Sequence, residues 1–337
     1  ETANGHVSDF IAGGVEITRG TNAYYYNDSG KNYVGFFLKA GGAATAHSVA
    51  TANVNGATSS TTTLVVDGNS GTIAAGMFVA GSGISGTVTV ASLSDQNNLV
   101  LSSAQSLSND VALTFSTSAG ATVASSVSAA DHGGFSVGTF TAASGTMKVG
   151  HGLSRTPVMI WTKNTDSTGQ WWIYHEGMGN SHYTVLNHTD VATGSSDAWA
   201  ATTPDTNTFS TNSTWLGTGD VYHFCVFART PGLIGAGTFE GVADADGTSV
   251  VVNDGQSGFR PAFLIIKSID ATRYWVLHDS TRNTYNPASI RTHPNTSESE
   301  AVSGTADIDF LANGFKLRNT SSHSGGSAET FIYLAFA

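Results

Sequence analysis

Charge is scarce in this chain: Asp, Glu, Lys and Arg make up 12% of 337 residues, about half the share usual in a soluble globular protein. Basic residues are scarcer still, 14 against 25 acidic ones for a net charge of −11, and they form no cluster. Sequence-independent nucleic-acid binding needs basic patches that displace counterions, so nucleic acid is not an expected partner. The same balance argues against an anionic membrane surface as partner. No run of about 18 apolar residues appears, so membrane insertion is not expected, and no signal-peptide pattern is read at the start. The single cysteine, Cys225, rules out an intrachain disulfide. It lies in the apolar run Val221-Tyr-His-Phe-Cys-Val-Phe-Ala228 and reads as a structural thiol. Helical patterning is missing as well: no long 3.6-residue apolar period follows a capping box.

What is abundant is glycine, with 39 residues, together with Ser, Thr and apolar runs dominated by β-branched and aromatic residues. Those runs favour strands. The hydroxyl-rich, charge-poor composition suits extracellular fibres and adhesins better than cytosolic enzymes. The expected fold class is all-β: tandem β-sandwich modules of jelly-roll-like kind with a small β-sandwich or barrel insert. The length allows two or three domains, each with a sizeable core.

Internal repeats organise the chain. Asp9-Phe-Ile-Ala-Gly-Gly-Val-Glu-Ile17 aligns without gaps with Asp309-Phe-Leu-Ala-Asn-Gly-Phe-Lys-Leu317. A hydrophobic run follows each, Tyr33-Val-Gly-Phe-Phe-Leu38 and Phe331-Ile-Tyr-Leu-Ala-Phe336. A second repeat matches Thr156-Pro-Val-Met-Ile-Trp-Thr-Lys163 to Arg260-Pro-Ala-Phe-Leu-Ile-Ile-Lys267. It also matches Trp172-Ile-Tyr-His175 to Trp275-Val-Leu-His278, at an offset of 103 residues. Asn207-Thr-Phe209 matches Asn313-Gly-Phe315, and 221–228 matches 330–337. The expected domains are therefore four. Residues 1–42 are the closing strands of an incomplete or shared β module, and the chain opens at Glu1 without a Met. Residues 43–130 are a small Gly/Ser/Thr-rich β domain with connectors at 43–58 and 117–132. Residues 131–233 and 234–337 are two sandwich units. The post-proline runs 158–162 and 262–266 are apolar on both faces, as a central strand of a two-layer structure would be. Within 43–130, Gly86-Thr-Val-Thr-Val90 and Val111-Ala-Leu-Thr-Phe115 alternate between Gly, Asn and Asp turns.

The region 134–337 resembles repeat modules of tail-fibre-like proteins of marine bacteriophages, including cyanophages and pelagiphages. The residues that carry the resemblance are Gly150-His-Gly-Leu153, Pro157 through Lys163, Asp166-Ser167, Trp171-Trp172, Asn313-Gly-Phe315 and the aromatic strand ending at Ala337. Residues 72–115 are similar to a Gly-Ser-Gly-Ile-Ser-Gly-Thr-Val insert of such proteins. The second unit departs from the pattern with Gly255-Gln-Ser-Gly258 in place of the Gly-His-Gly-Leu element. The resemblance implies virion association and no catalytic residue.

Candidate chemistry is thin. His175-Glu176 and His278-Asp279 put a histidine beside a carboxylate at matching places, but neighbours on a strand point to opposite faces. His151, His175, His182 and His188 are dense in the first sandwich unit, without a tight metal-ligand spacing. Asp244-Ala-Asp246-Gly247 begins like a calcium loop and lacks its later ligands. Asp307 and Asp309 alternate like a carboxylate pair; a polar strand edge is the simpler account. The Asn-x-Ser/Thr sequons at Asn27, Asn187, Asn212, Asn295 and Asn319 are what such a composition yields by chance. The binding candidates are aromatics outside the strongest strand patterns: Tyr24, Tyr25, Tyr26, Trp199 and Trp215. Exposed rings can stack on sugars or anchor an interface; core or intersubunit packing is the simpler account of the same residues.

No catalytic residue, metal or cofactor is expected, and no enzyme. The expected role is a virion structural protein, a tail fibre or adhesin module at the virion surface. Its expected partners are further copies of itself as a homotrimer, other virion proteins, and a host-surface glycan or protein. The alternatives are a capsid decoration protein or head fibre, and, further off, a fibre-borne glycan depolymerase.

Overall fold

The computed structural model describes residues 6–11, 14–18, 20–21, 33–302, 307–318 and 320–337. The chain divides into two compact units, Glu1–Leu38 and Lys39–Ala337. Among the described residues all but one of the elements are strands; the exception is a single helical turn, α1 (Ser322–Gly325). In the first unit, β1 (His6–Ile11) and β2 (Gly14–Thr18) form an antiparallel hairpin with Phe10 opposite Val15 and Ile11 opposite Gly14. The run 33–38, expected as a strand, falls in none, and its side chains are exposed, Phe37 at 68%. Its counterpart at the end of the chain lies between two strands of a sheet; among the described residues of this unit no such flanking strands exist.

The second unit begins with β3 (Thr45–His47), then β4 (Val49–Val54), β5 (Thr61–Ser70), β6 (Phe78–Gly81), β7 (Val88–Asp95), β8 (Asn98–Gln105) and β9 (Ala112–Ser116). Strands β4 to β9 close into a barrel in the order β4-β5-β8-β7-β6-β9. Alternate residues point inward: Ala50, Ala52 and Val54 on β4, Val88 and Val90 on β7, Leu99 and Leu101 on β8, Leu113 and Phe115 on β9. Small Ala and Val side chains suit so narrow a barrel, which leaves room for few rings.

The barrel is spliced into a sheet. Strand β3 pairs with β10 (Ser125–Ala129), His47 opposite Ser125, on either side of the insertion. Residues expected as connectors at 43–58 and 117–132 thus include strands of the main body and the first barrel strand. Their Ser/Ala/Thr alternation buries little apolar area and signals weakly.

The first sandwich continues with β11 (Phe135–Thr141), β12 (Thr146–Gly150), β13 (Pro157–Asn164), β14 (Trp171–His175), β15 (His182–Val185), β16 (Thr193–Gly194), β17 (Thr208–Asn212) and β18 (Val221–Ala228). Its large sheet runs β16-β15-β14-β13-β18-β11-β10-β3, faced by the β12-β17 pair. The second sandwich comprises β19 (Ile234–Glu240), β20 (Ser249–Val251), β21 (Phe263–Ser268), β22 (Val276–Asp279), β23 (Ile290–Arg291), β24 (Ala301–Val302), β25 (Ile308–Leu311), β26 (Gly314–Leu317) and β27 (Thr330–Phe336). Its main sheet, β19-β27-β21-β22, repeats the order β11-β18-β13-β14, and β20-β26-β25 faces it. Hairpin β25–β26 has the register of β1–β2, with Phe310 opposite Phe315 and Leu311 opposite Gly314.

The doubly apolar strands have a reason beyond two layers. On β27, Phe331, Tyr333 and Ala335 face the core of the second sandwich. Ile332, Leu334 and Phe336 face a separate core shared with Met159, Ile173 and Phe227 of the first. On β18, Tyr222, Phe224 and Val226 point into the first sandwich, and Phe227 points out toward the second. The two main sheets therefore pack back to back, and the body has four layers with three apolar seams.

Close approach also explains the Asn313-Gly-Phe315 motif. A Cβ on Gly314 would lie 1.9 Å from the Val250 carbonyl oxygen of the paired strand β20. The Gly314→Ala variant is expected to lose about 2 kcal/mol or more, read as a lowered midpoint in thermal unfolding.

Candidate functional site

The structure sorts the expected binding aromatics. Tyr24, Tyr25 and Tyr26 lie outside the described residues. Trp199 is not a surface ring: it is 2% exposed in the first sandwich core, edge-on to Tyr174 at 5.6 Å. The long loop between β16 and β17 folds inward and uses Trp199 to cover that core, which corrects the expectation of exposure. Trp215 is half-buried at the rim of the same core, in a cluster with Trp172 at 4.6 Å and Tyr183 at 4.7 Å. Packing accounts for its position.

The histidines serve the fold. His151 has no exposed surface; its Nδ1 accepts from Leu153 N at 3.3 Å and its Nε2 donates to Asp205 O at 3.1 Å. This pins the turn of the Gly150-His-Gly-Leu153 element. His175 donates from Nε2 to Tyr333 O at 3.2 Å across the inter-sandwich seam and accepts from Gly177 N at 3.0 Å. His278 donates from Nδ1 to Ile290 O at 3.1 Å. Burial holds all three imidazoles down at about 4, so they are neutral at pH 7. Their carboxylate neighbours turn elsewhere: Glu176 pairs with Arg229 and Asp279 with Arg282. His188 sits 3.3 Å from Asp190 at the surface. Among the described residues no three His, Cys, Asp or Glu side chains gather as a metal site requires.

The remaining candidates also have structural employment. Asp244 accepts from Asp246 N at 2.7 Å, closing a turn, and Asp246 pairs with Lys316 and Arg318. Asp309 lies 3.4 Å from Arg318. Burial, with Asp309 adding and Arg291 opposing, raises the Asp307 carboxyl above its usual range. Cys225 is half-buried and burial pushes its thiol up to about 12; it is no nucleophile at neutral pH. The lysines ending β13 and the matching strand β21 cap carbonyls: Lys163 donates to Asn164 O at 2.6 Å, Lys267 to Ser268 O at 2.6 Å.

Within the two sandwiches, a ring presented to solvent is one the sequence patterns passed over. Tyr285 is 86% exposed, on the loop between β22 and β23. Two asparagines hold that loop. Asn283 donates to the carbonyls of Asp279 and Ile290 at 3.0 and 2.9 Å and accepts from Ile290 N at 2.8 Å. Asn286 donates to Phe310 O at 3.1 Å and accepts from Phe310 N at 2.9 Å, and Ala288 exchanges backbone bonds with Ile308. The loop is thereby stitched to β25 on one side of Tyr285 and to β22 on the other. A pinned loop with an outward aromatic loses little entropy when it binds. Asn283 and the Tyr285-Asn-Pro287 stretch were the available signals.

One domain-family profile, described as a domain of unknown function (DUF7483), matches residues 111–337, from the last barrel strand through both sandwiches. No curated protein and no solved structure matches the chain.

Proposed function

The chain belongs to the DUF7483 family, and from its architecture we propose that it is a virion structural protein, a tail-fibre or adhesin module that displays β domains for attachment to a host-surface glycan or protein. The observation that carries this reading is Tyr285, held out at 86% exposure by a loop laced to the sheet through Asn283 and Asn286. Support also comes from the repeated sandwiches, the charge-poor hydroxyl-rich composition and the resemblance of the Gly150–Leu153, Pro157–Lys163 and Asn313–Phe315 stretches to repeat modules of phage fibre proteins. Attachment of this kind works by multiplicity: several weak contacts on one particle combine into tight binding. A homotrimer would supply three such loops.

The proposal is tested on particles. Gold-labelled antibodies raised against the purified chain are expected to decorate intact virions at the tail. Label on the head would shift the assignment to a decoration protein or head fibre, and unlabelled particles would remove the virion role. The Tyr285→Ser variant is expected to keep its stability within about 0.5 kcal/mol while particles carrying it adsorb more slowly to their host. Unchanged adsorption would take Tyr285 out of the contact.

A further inference from the structure

A cavity of about 410 Å³ opens where the two sandwiches meet. The first sandwich contributes Glu176 and Gly177, just past β14. The second contributes Thr238 of β19, Val251 of β20, and Asn253, with Tyr333 of β27 beneath. Glycines make the space. A Cβ on Gly237 would stand 3.0 Å from the Tyr333 hydroxyl oxygen, and one on Gly177 would stand 2.3 Å from Thr238 Cγ2. The walls are fixed by Arg229, which pairs with both Glu176 oxygens and donates to Ala236 O at 3.2 Å and Asn253 O at 3.1 Å. The Tyr333 hydroxyl accepts from Asn253 N at 2.9 Å.

The chemistry of this lining selects its ligand. Glu176 and Arg229 cancel each other's charge, so the wall draws in neither cations nor anions strongly. Each carboxylate oxygen still has a lone pair to offer. The Thr238 hydroxyl and the Asn253 side chain can both donate and accept. The valine gives an apolar patch beside them. A volume of about 300 Å³ or more is ordinary for a small-molecule site. A neutral ring that carries hydroxyls on its edge and C–H groups on its face matches all of these features.

We propose that this inter-sandwich cavity binds one neutral pyranose unit, a hexose or N-acetylhexosamine, of a surface glycan. The proposal deepens the adhesin reading and rests on it for the source of the glycan. Because the cavity needs both sandwiches, binding also depends on their back-to-back packing.

Saturation-transfer NMR on the whole chain tests it, with methyl glycosides of glucose, galactose, mannose and N-acetylglucosamine as probes and glucuronic acid as the charged control. At least one neutral glycoside is expected to bind with a dissociation constant in roughly the millimolar range, and glucuronic acid to bind more weakly. Val251 is 56% exposed, so Val251→Trp can block the mouth without disturbing a core. It is expected to weaken binding at least about tenfold. Thr238→Val keeps the shape and removes the hydroxyl, and is expected to weaken binding about threefold to tenfold. Circular dichroism checks that both variants are folded. No binding by any neutral glycoside, or binding indifferent to Val251→Trp, overturns the proposal. Labelled virions together with a sugar-blind cavity would defeat this inference and leave the virion role standing; a sugar-binding chain absent from virions would do the reverse.

Discussion

Acidification from about pH 7.5 to about pH 4.5 is expected to remove several kcal/mol of unfolding free energy. The cause is His151, His175 and His278, none of which has exposed surface. In the unfolded chain each takes up a proton below about 6.5. In the folded chain burial delays this until about 4. Between those values the unfolded state binds more protons, so stability falls as pH falls and is complete only above about 6.5. Each histidine can account for roughly 3 kcal/mol over the full window. Each is also a hydrogen-bond partner of a backbone carbonyl, to Asp205, Tyr333 and Ile290 respectively. His47, His223, His293 and His323 are held down in the same direction, mainly by burial, and steepen the fall. Urea midpoints across this pH range check the prediction. Equal midpoints at both ends would mean that the histidines are not buried as described. His278→Gln is expected to flatten the pH dependence by somewhat less than about a third of its depth, since the four less buried histidines share the remainder with His151 and His175.

The second large effect concerns Trp275. It has no exposed surface, lies in the seam between the main sheets, and donates from Nε1 to Val185 O of the first sandwich at 2.9 Å. Trp275→Ala opens a cavity in that seam and removes the shorter of two bonds to the Val185 carbonyl, which keeps the one from His188 N at 3.4 Å. A loss of about 3–5 kcal/mol is expected from the cavity, with about 1 kcal/mol or more from the broken bond. The loss should reach both sandwiches, because Met159, Ile173 and Phe227 of the first share the seam with Ile265, Leu334 and Phe336 of the second. Calorimetry is expected to show one transition for the two sandwiches that moves down as a whole. A variant in which only the second sandwich melts early would contradict the shared core.

The repeat was legible because the Pro-to-Lys and Trp-x-x-His motifs recur in the same order about 103 residues apart: the runs 156–163 and 260–267 became β13 and β21 at the same place in matching sheets. Their apolar character on both faces was legible too, but not its cause. Two layers would bury such strands, and so do four; the folded chain sets Phe336 against Phe227 at 5.8 Å. The strands at Thr45–His47 and Ser125–Ala129 were hidden because small hydroxylated side chains give no hydrophobic alternation. Trp199 stayed open between surface and core because a loop residue has no period to reveal which way it points. Tyr285 was passed over for the complementary reason: its surroundings are polar, and the bonds that pin its loop reach β25, over twenty residues away. The cavity could not be read at all, since Glu176 and Tyr333 come together only through the packing of two modules.

That packing is the claim on which the cavity and the burial of His175 against Tyr333 depend, and hydrogen exchange measured strand by strand tests it most directly. Strands β18 and β27 lie on opposite sides of the seam. If the sandwiches form one four-layer body, their amides exchange with the same high protection, and Trp275→Ala lowers both by the same amount. If β18 keeps its protection while β27 loses it, the sandwiches are independent and the account fails.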